Sequence, residues 1–143
     1  MKLRDLFSKS SLRQLGFVLV IFALLLPVAL WDSNNQVRIS MEAEDLSVTS
    51  DKYTLRTPYE NIVSASLESL ADPGEEVSDC FDDDILRAGF WRNPEWGEYH
   101  ICADLDASLC IVLKLEDGQT FVFTGKNDRD TATQYEALLT HLT

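Results

Sequence analysis

One dipeptide constrains the chain more than any other feature. Asp117-Gly118 separates two apolar runs, CIVLKL at 110–115 and TFVF at 120–123. Glycine tolerates the positive φ of a tight reversal, so Asp-Gly between such runs predicts a β-hairpin. With Gly118 left-handed, Leu115 falls opposite Gln119, Leu113 opposite Phe121 and Ile111 opposite Phe123. That register collects the large side chains of one face into a single layer. A second break at Asp104-Leu105-Asp106-Ala107 predicts another hairpin just upstream, aligning Ile101 with Ile111 and Tyr99 with Leu113.

The end of the chain supplies the cover for that sheet. Tyr135, Leu138, Leu139 and Leu142 recur at helical spacing and form one apolar stripe. Asp128 and Asp130 are read as N-cap oxygens at the positive end of the helix dipole, and Thr131 with Gln134 as a capping box. Toward the N-terminus, period-two patterns at 37–41, 46–50, 53–57 and 62–67 predict further short strands. Asp51-Lys52 turns the chain between two of them, and Pro58 to Asn61 breaks the pattern before the last. The stretch 71–84, ADPGEEVSDCFDDD, reads as an acidic loop.

Residues 15–31, LGFVLVIFALLLPVALW, carry no charge. With Gln14 the segment spans about 27 Å as a helix, enough for a bilayer core. Trp31 at its end suits the interface, and Lys2, Arg4, Lys9 and Arg13 before it with Asp32 after it orient the N-terminus toward the cytoplasm. A cleaved signal peptide is the rival reading, but Leu30 and Trp31 are large where a cleavage site needs small residues. The expected organisation is a basic cytoplasmic tail at 1–13, a transmembrane signal anchor at 14–31, a linker at 32–36 and an extracytoplasmic β domain at 37–143. The expected localisation is the cell membrane, spanned once.

Charge limits the partners. Residues 32–143 hold 8 basic and 23 acidic side chains, a net −15. Such a body repels phosphate backbones, which argues against nucleic acid, and it disfavours anionic headgroups. A bilayer through 14–31 and an unidentified protein are the partners expected.

Candidate chemistry is thin. Cys102 and Cys110 lie opposite each other in the upstream register, where a disulfide would be strained; Cys80 is an alternative partner. Free thiols remain an open reading. Zinc spacing is missing, and the acidic stretch does not match an EF-hand loop, so no metal or cofactor is assigned. His100 shares a strand face with Cys102 and reads as a surface residue, while His141 sits in the last helical turn. There is no GxSxG, HExxH, phosphate loop or dinucleotide fingerprint, so the chain reads as not an enzyme. Phe90, Trp91 and Trp96, around Pro94 and Gly97, are the candidate binding patch, together with the outer edge of strands 99–104 and 109–115. The rival placement of Phe90 and Trp96 is a packed corner of the core.

The residues Ile85-x-Arg87-x-Gly89-Phe90, Trp96-Gly97-Glu98-Tyr99, the run from Cys110 to Phe123 through Asp117-Gly118, and the Asp/Thr-rich helix start resemble the bacterial pleckstrin-homology-like domain. The rhythm of 46–50, 52–57 and 59–62 is similar to that family's first strands. The resemblance covers about 37–142. It implies a seven-stranded, partly open barrel of two antiparallel sheets capped by a C-terminal α-helix, often carried on a membrane segment. It brings no catalytic residues. Lys52 and Arg56 lie among Glu42, Glu44, Asp45 and Asp51, so the basic cluster of phosphoinositide-binding relatives is missing. The expected function is a membrane-anchored extracytoplasmic interaction module working by protein–protein contact, as an accessory or scaffold component. The alternatives are a small-ligand or divalent-cation sensor using 71–84, and a thiol- or disulfide-linked envelope protein.

Overall fold

The computed structural model describes residues 16–17, 19–21, 37–70 and 72–143. The chain divides into two compact units, Met1–Asn34 and Asn35–Thr143. In the first, residues 16–17 and 19–21 are helical. The tail at 1–13, the linker up to 36 and most of the anchor at 14–31 lie outside the described residues. Among the described residues no helix is long and apolar enough to cross a membrane.

The second unit is mostly β. A small sheet contains β1 (Arg38–Met41), β2 (Asp45–Thr49) and β3 (Thr54–Pro58) in that order. A one-turn 3₁₀ helix at Tyr59–Asn61 leads from it to β4 (Ile62–Ser69). The large sheet adds β5 (Glu75–Asp82), β6 (Leu86–Asn93), β7 (Gly97–Asp104), β8 (Leu109–Leu115) and β9 (Thr120–Phe123). Its order is β4-β8-β9-β7-β6-β5. The chain ends in α1 (Asp128–Leu142).

The Asp-Gly turn folds as its chemistry requires. Gly118 has φ +86°, Leu115 N–H donates to the Gln119 carbonyl at 2.9 Å, and Leu113 and Ile111 face Phe121 and Phe123. The hairpin expected upstream does not form. β9 enters between β7 and β8 and pairs with β7 in parallel, placing His100, Ile101 and Cys102 against Phe121, Val122 and Phe123. The large sheet is therefore mixed rather than antiparallel, and Ile101 and Tyr99 do not face Ile111 and Leu113. The cause is burial on both faces: all four residues of β9 are buried, so it gains most at the centre of the sheet. The described residues of the domain form nine strands rather than seven, in two sheets that do not close into one barrel.

The acidic stretch also departs from expectation. Residues 75–82 form edge strand β5 and not a loop. Its pairing with β6 shifts register twice, and Asp79 adopts φ +52°. A twisted, acidic edge of this kind resists pairing with other chains.

The large sheet is rolled. Laid flat, β4 and β7 would stand about 14 Å apart, three strand spacings. Yet Trp96 Nε1, immediately before β7, donates to Glu68 Oε2 of β4 at 2.9 Å. Residues 72–74 lie against the concave face as a strap. Tyr99 Oη donates to the Pro73 carbonyl at 2.6 Å and Asn93 Nδ2 to the Asp72 carbonyl at 3.3 Å. Gly74 passes so close to β6 that a Cβ there would meet the Arg92 carbonyl oxygen at 2.0 Å.

Two cores result. Leu46, Val48, Leu86, Cys102, Ile111, Leu113, Phe121, Phe123 and Leu138 fill the space between the small sheet, one face of the large sheet and α1. Trp91, Tyr99, Ile101, Ala103, Cys110, Val112 and Val122 fill the inside of the roll. The helix uses its expected stripe, with Leu138 buried and Tyr135 and Leu142 against the first core. Its cap differs. Asn127 is the N-cap and accepts from Asp130 N–H at 2.9 Å. Asp128 instead reaches back to the β7–β8 connection, accepting from the backbone N–H groups of Ser108 and Leu109 at 2.6 and 2.8 Å and from the Ser108 hydroxyl at 2.5 Å.

Candidate functional site

The three aromatic residues singled out in the sequence do not share a surface. Phe90 and Trp91 are neighbours on β6, so their side chains leave opposite faces of the sheet. Phe90 is half-buried and packs on His100, ring centres 4.7 Å apart. Trp91 is only 4% exposed inside the roll, with the Arg87 guanidinium 5.3 Å above its ring. Trp96 is half-buried, edge-on to Tyr99 at 5.1 Å, and tied to Glu68. The strands at 99–104 and 109–115 are not edges either, since each lies between two neighbours. These residues build the core and its rim.

The cysteines are three free thiols. Cys102 packs in the first core and Cys110 in the second, on opposite faces and two strands apart, about 10 Å by strand spacing. The cross-strand disulfide has no place in this register. Burial pushes the Cys102 thiol up to about 11 and the Cys110 thiol up to about 12, so both stay protonated near neutrality. Cys80 is half-buried, and its Sγ lies 3.1 Å from the Phe90 carbonyl oxygen.

His100 shares the Cys102 face as expected but is half-buried, stacked on Tyr53 at 5.8 Å and tilted against Phe90. Desolvation lowers its pKa, partly offset by Asp117. His141 stacks on Tyr59 at 4.6 Å. Asp83 ends the acidic strand by accepting from Ile85 and Leu86 N–H at 2.8 and 2.7 Å, and the Leu86 bond, followed by that of Ile85, lowers its pKa. Among the described residues no cluster of His, Cys, Asp and Glu has the arrangement to hold a metal ion.

What the structure adds is a groove of about 570 Å³ between the small sheet and the β8–β9 turn. Leu55, Arg56, Thr57 and Pro58 of β3 run along one wall, with Asn61 at its end. Leu115, Glu116, Asp117 and Gln119 form the other. Arg56 Nε donates to Asp45 Oδ2 at 2.8 Å, and Glu42 lies 3.9 Å from its guanidinium. Asp117 Oδ1 accepts from Gln119 N–H at 2.9 Å, bracing the turn. The sequence offered one signal for this edge: Pro58 lacks a ladder donor, and proline in a strand marks an edge.

Comparison with known protein families, with curated proteins and with solved structures gives no match.

Proposed function

We propose that the chain is an interaction module held at the membrane by residues 14–31, with an extracytoplasmic, pleckstrin-homology-like β domain that contacts another protein. It would act as an accessory or scaffold component, without a catalytic step of its own. The observation that carries this reading is the groove along β3, a concave feature built from a strand edge and surface charge. The net −15 of residues 32–143 supports a protein rather than nucleic acid as the occupant of the surface. The raised pKa values of Cys102 and Cys110 weigh against the thiol alternative. The pleckstrin-homology-like assignment rests on the residue pattern and on a C-terminal helix that covers one face of the sheets.

The test is chemical crosslinking of the full-length chain in membranes, followed by affinity capture and mass spectrometry. A membrane protein recovered in stoichiometric amount is the expected result. Recovery of the chain alone across several crosslinkers would sink the proposal.

A further inference from the structure

We propose that the free edge of β3 accepts an extended, lysine- or arginine-bearing segment of a partner protein as a fourth strand of the small sheet, lying in the groove against Glu116 and Asp117. This deepens the interaction reading above and rests on it.

The small sheet runs β1-β2-β3, so among the described residues β3 is paired on one side only. The phase of its hydrogen bonds follows from its own hairpin, where Ser50 N–H donates to the Tyr53 carbonyl at 2.7 Å. Alternation along an antiparallel pair then directs Leu55 and Thr57 toward β2 and turns the N–H and C=O of Thr54 and Arg56 outward. Pro58 also falls in the outward phase, where its missing N–H leaves the ladder intact. The pairing of β3 with β2 has no register shift, unlike the bulged edge at β5. At β4 the Ala65 carbonyl already accepts from Tyr135 Oη at 3.4 Å. The regular edge along the groove is therefore suited to strand addition. Its five residues, Thr54–Pro58, set the length of the segment.

Charge selects the segment. The Arg56 guanidinium is already matched by Asp45 and Glu42. Glu116 and Asp117 are exposed on the opposite wall, apart from the ion pairs of Arg56, Arg87 and Arg92. A strand pairing with β3 sends alternate side chains toward that wall, and a cationic side chain there meets two carboxylates.

The probe is a fluorescein-labelled, seven-residue alternating valine–lysine peptide, titrated by anisotropy into the full-length chain in detergent micelles. A valine–glutamate peptide is the control. Arg56→Pro removes an outward N–H without touching the β2 ladder, and Arg56→Ala removes only the side chain. We expect saturable binding of the lysine peptide, a loss of about tenfold in Arg56→Pro, and a change under about twofold in Arg56→Ala. The double variant Glu116→Lys, Asp117→Lys should transfer the preference to the glutamate peptide, a readout that stands even if Arg56→Pro fails to fold. Absence of lysine-peptide binding, equal binding of both peptides, or equal loss in Arg56→Pro and Arg56→Ala overturns the proposal. If Arg56→Pro captures a membrane partner as well as the natural sequence does, the groove is wrong and the interaction reading stands. If the natural sequence captures no partner, the interaction reading itself has failed.

Discussion

The Tyr99 hydroxyl donates a 2.6 Å hydrogen bond to the carbonyl of Pro73, joining a central strand to the strap that lies against the rolled sheet. Tyr99 is fully buried, and desolvation, the largest influence on it, lifts its pKa to about 12, so the donor is intact across the physiological range. Tyr99→Phe leaves the ring in the core and strands the Pro73 carbonyl, which should cost about 1–3 kcal/mol. Tyr99→Ala should cost about 3–5 kcal/mol through the cavity it opens. Urea denaturation of the two variants checks the order. Unchanged stability in Tyr99→Phe would mean that the hydroxyl contributes nothing to holding the strap.

Gly89 and Gly118 both have positive φ, at +121° and +86°, but their surroundings differ. A Cβ at Gly89 would meet the Asp79 carbonyl oxygen at 2.5 Å and the Cys80 Cα at 2.7 Å, whereas Gly118 faces open space. Gly118→Ala should cost about 1–2 kcal/mol of backbone strain. Gly89→Ala adds a backbone clash and should displace the bulge of β5, lowering stability by well over that amount. Thermal melts of both variants give the comparison, and similar losses would refute the close approach.

Trp91 belongs to the inner core, so Trp91→Ala should destabilise the domain by about 3–5 kcal/mol. A variant that folds normally and only loses a partner would restore Trp91 to a binding surface. Thiol labelling provides a companion measurement. The unfolded, unreduced protein should titrate three thiols, while in the native state Cys80 reacts first and Cys102 and Cys110 wait for unfolding. Fewer than three thiols in the unfolded protein would point to a disulfide that this register forbids.

Asp128 has a depressed pKa, chiefly through the Ser108 hydroxyl and then the Leu109 and Ser108 backbone N–H groups. A carboxylate whose folded pKa lies below its unfolded value near 3.8 contributes stability that is present above that value. The contribution fades as pH falls through the folded pKa. Asp128→Ala should therefore lower stability at neutral pH and flatten the acid limb of the stability curve. Asp104 works in the opposite sense, because burial raises its pKa, so its share is present below the unfolded value and fades as pH rises through the folded one. An unchanged acid limb in Asp128→Ala would show that the latch between α1 and the β7–β8 connection carries no linked stability.

Local signals were readable and distant pairings were not. The Asp117-Gly118 turn set its register within thirteen residues, Ile111 against Phe123 and Leu113 against Phe121 included, because a two-strand pairing across a short turn depends on the turn alone. The helix stripe was readable for the same reason. The partner of β7 was not, since Ile101, Cys102 and Ala103 are buried on both faces and lack the alternation that identifies an outward side. Phe90 and Trp91 looked like a patch because adjacent residues were read together, although strand geometry sends them to opposite faces. Thr120–Phe123 is buried throughout, as a central strand is, and the acidic run at 75–82, expected as a loop, forms an edge strand. Composition alone does not name a neighbour in a sheet.

By itself the sequence determined most of the strands, the tight turn, the amphipathic helix and the acidic surface, each set by interactions between residues close in the chain; β5 and β6 were not legible in it. Only the tertiary structure decided the insertion of β9 between β7 and β8, the rolling of the sheet under the strap, the separation of Cys102 from Cys110 and the exposed edge of β3. Those depend on which apolar faces find each other after the chain has collapsed. Burial is non-directional, so several pairings satisfy the same hydrophobic pattern, and the choice among them falls to packing and hydrogen bonds made across distant parts of the chain.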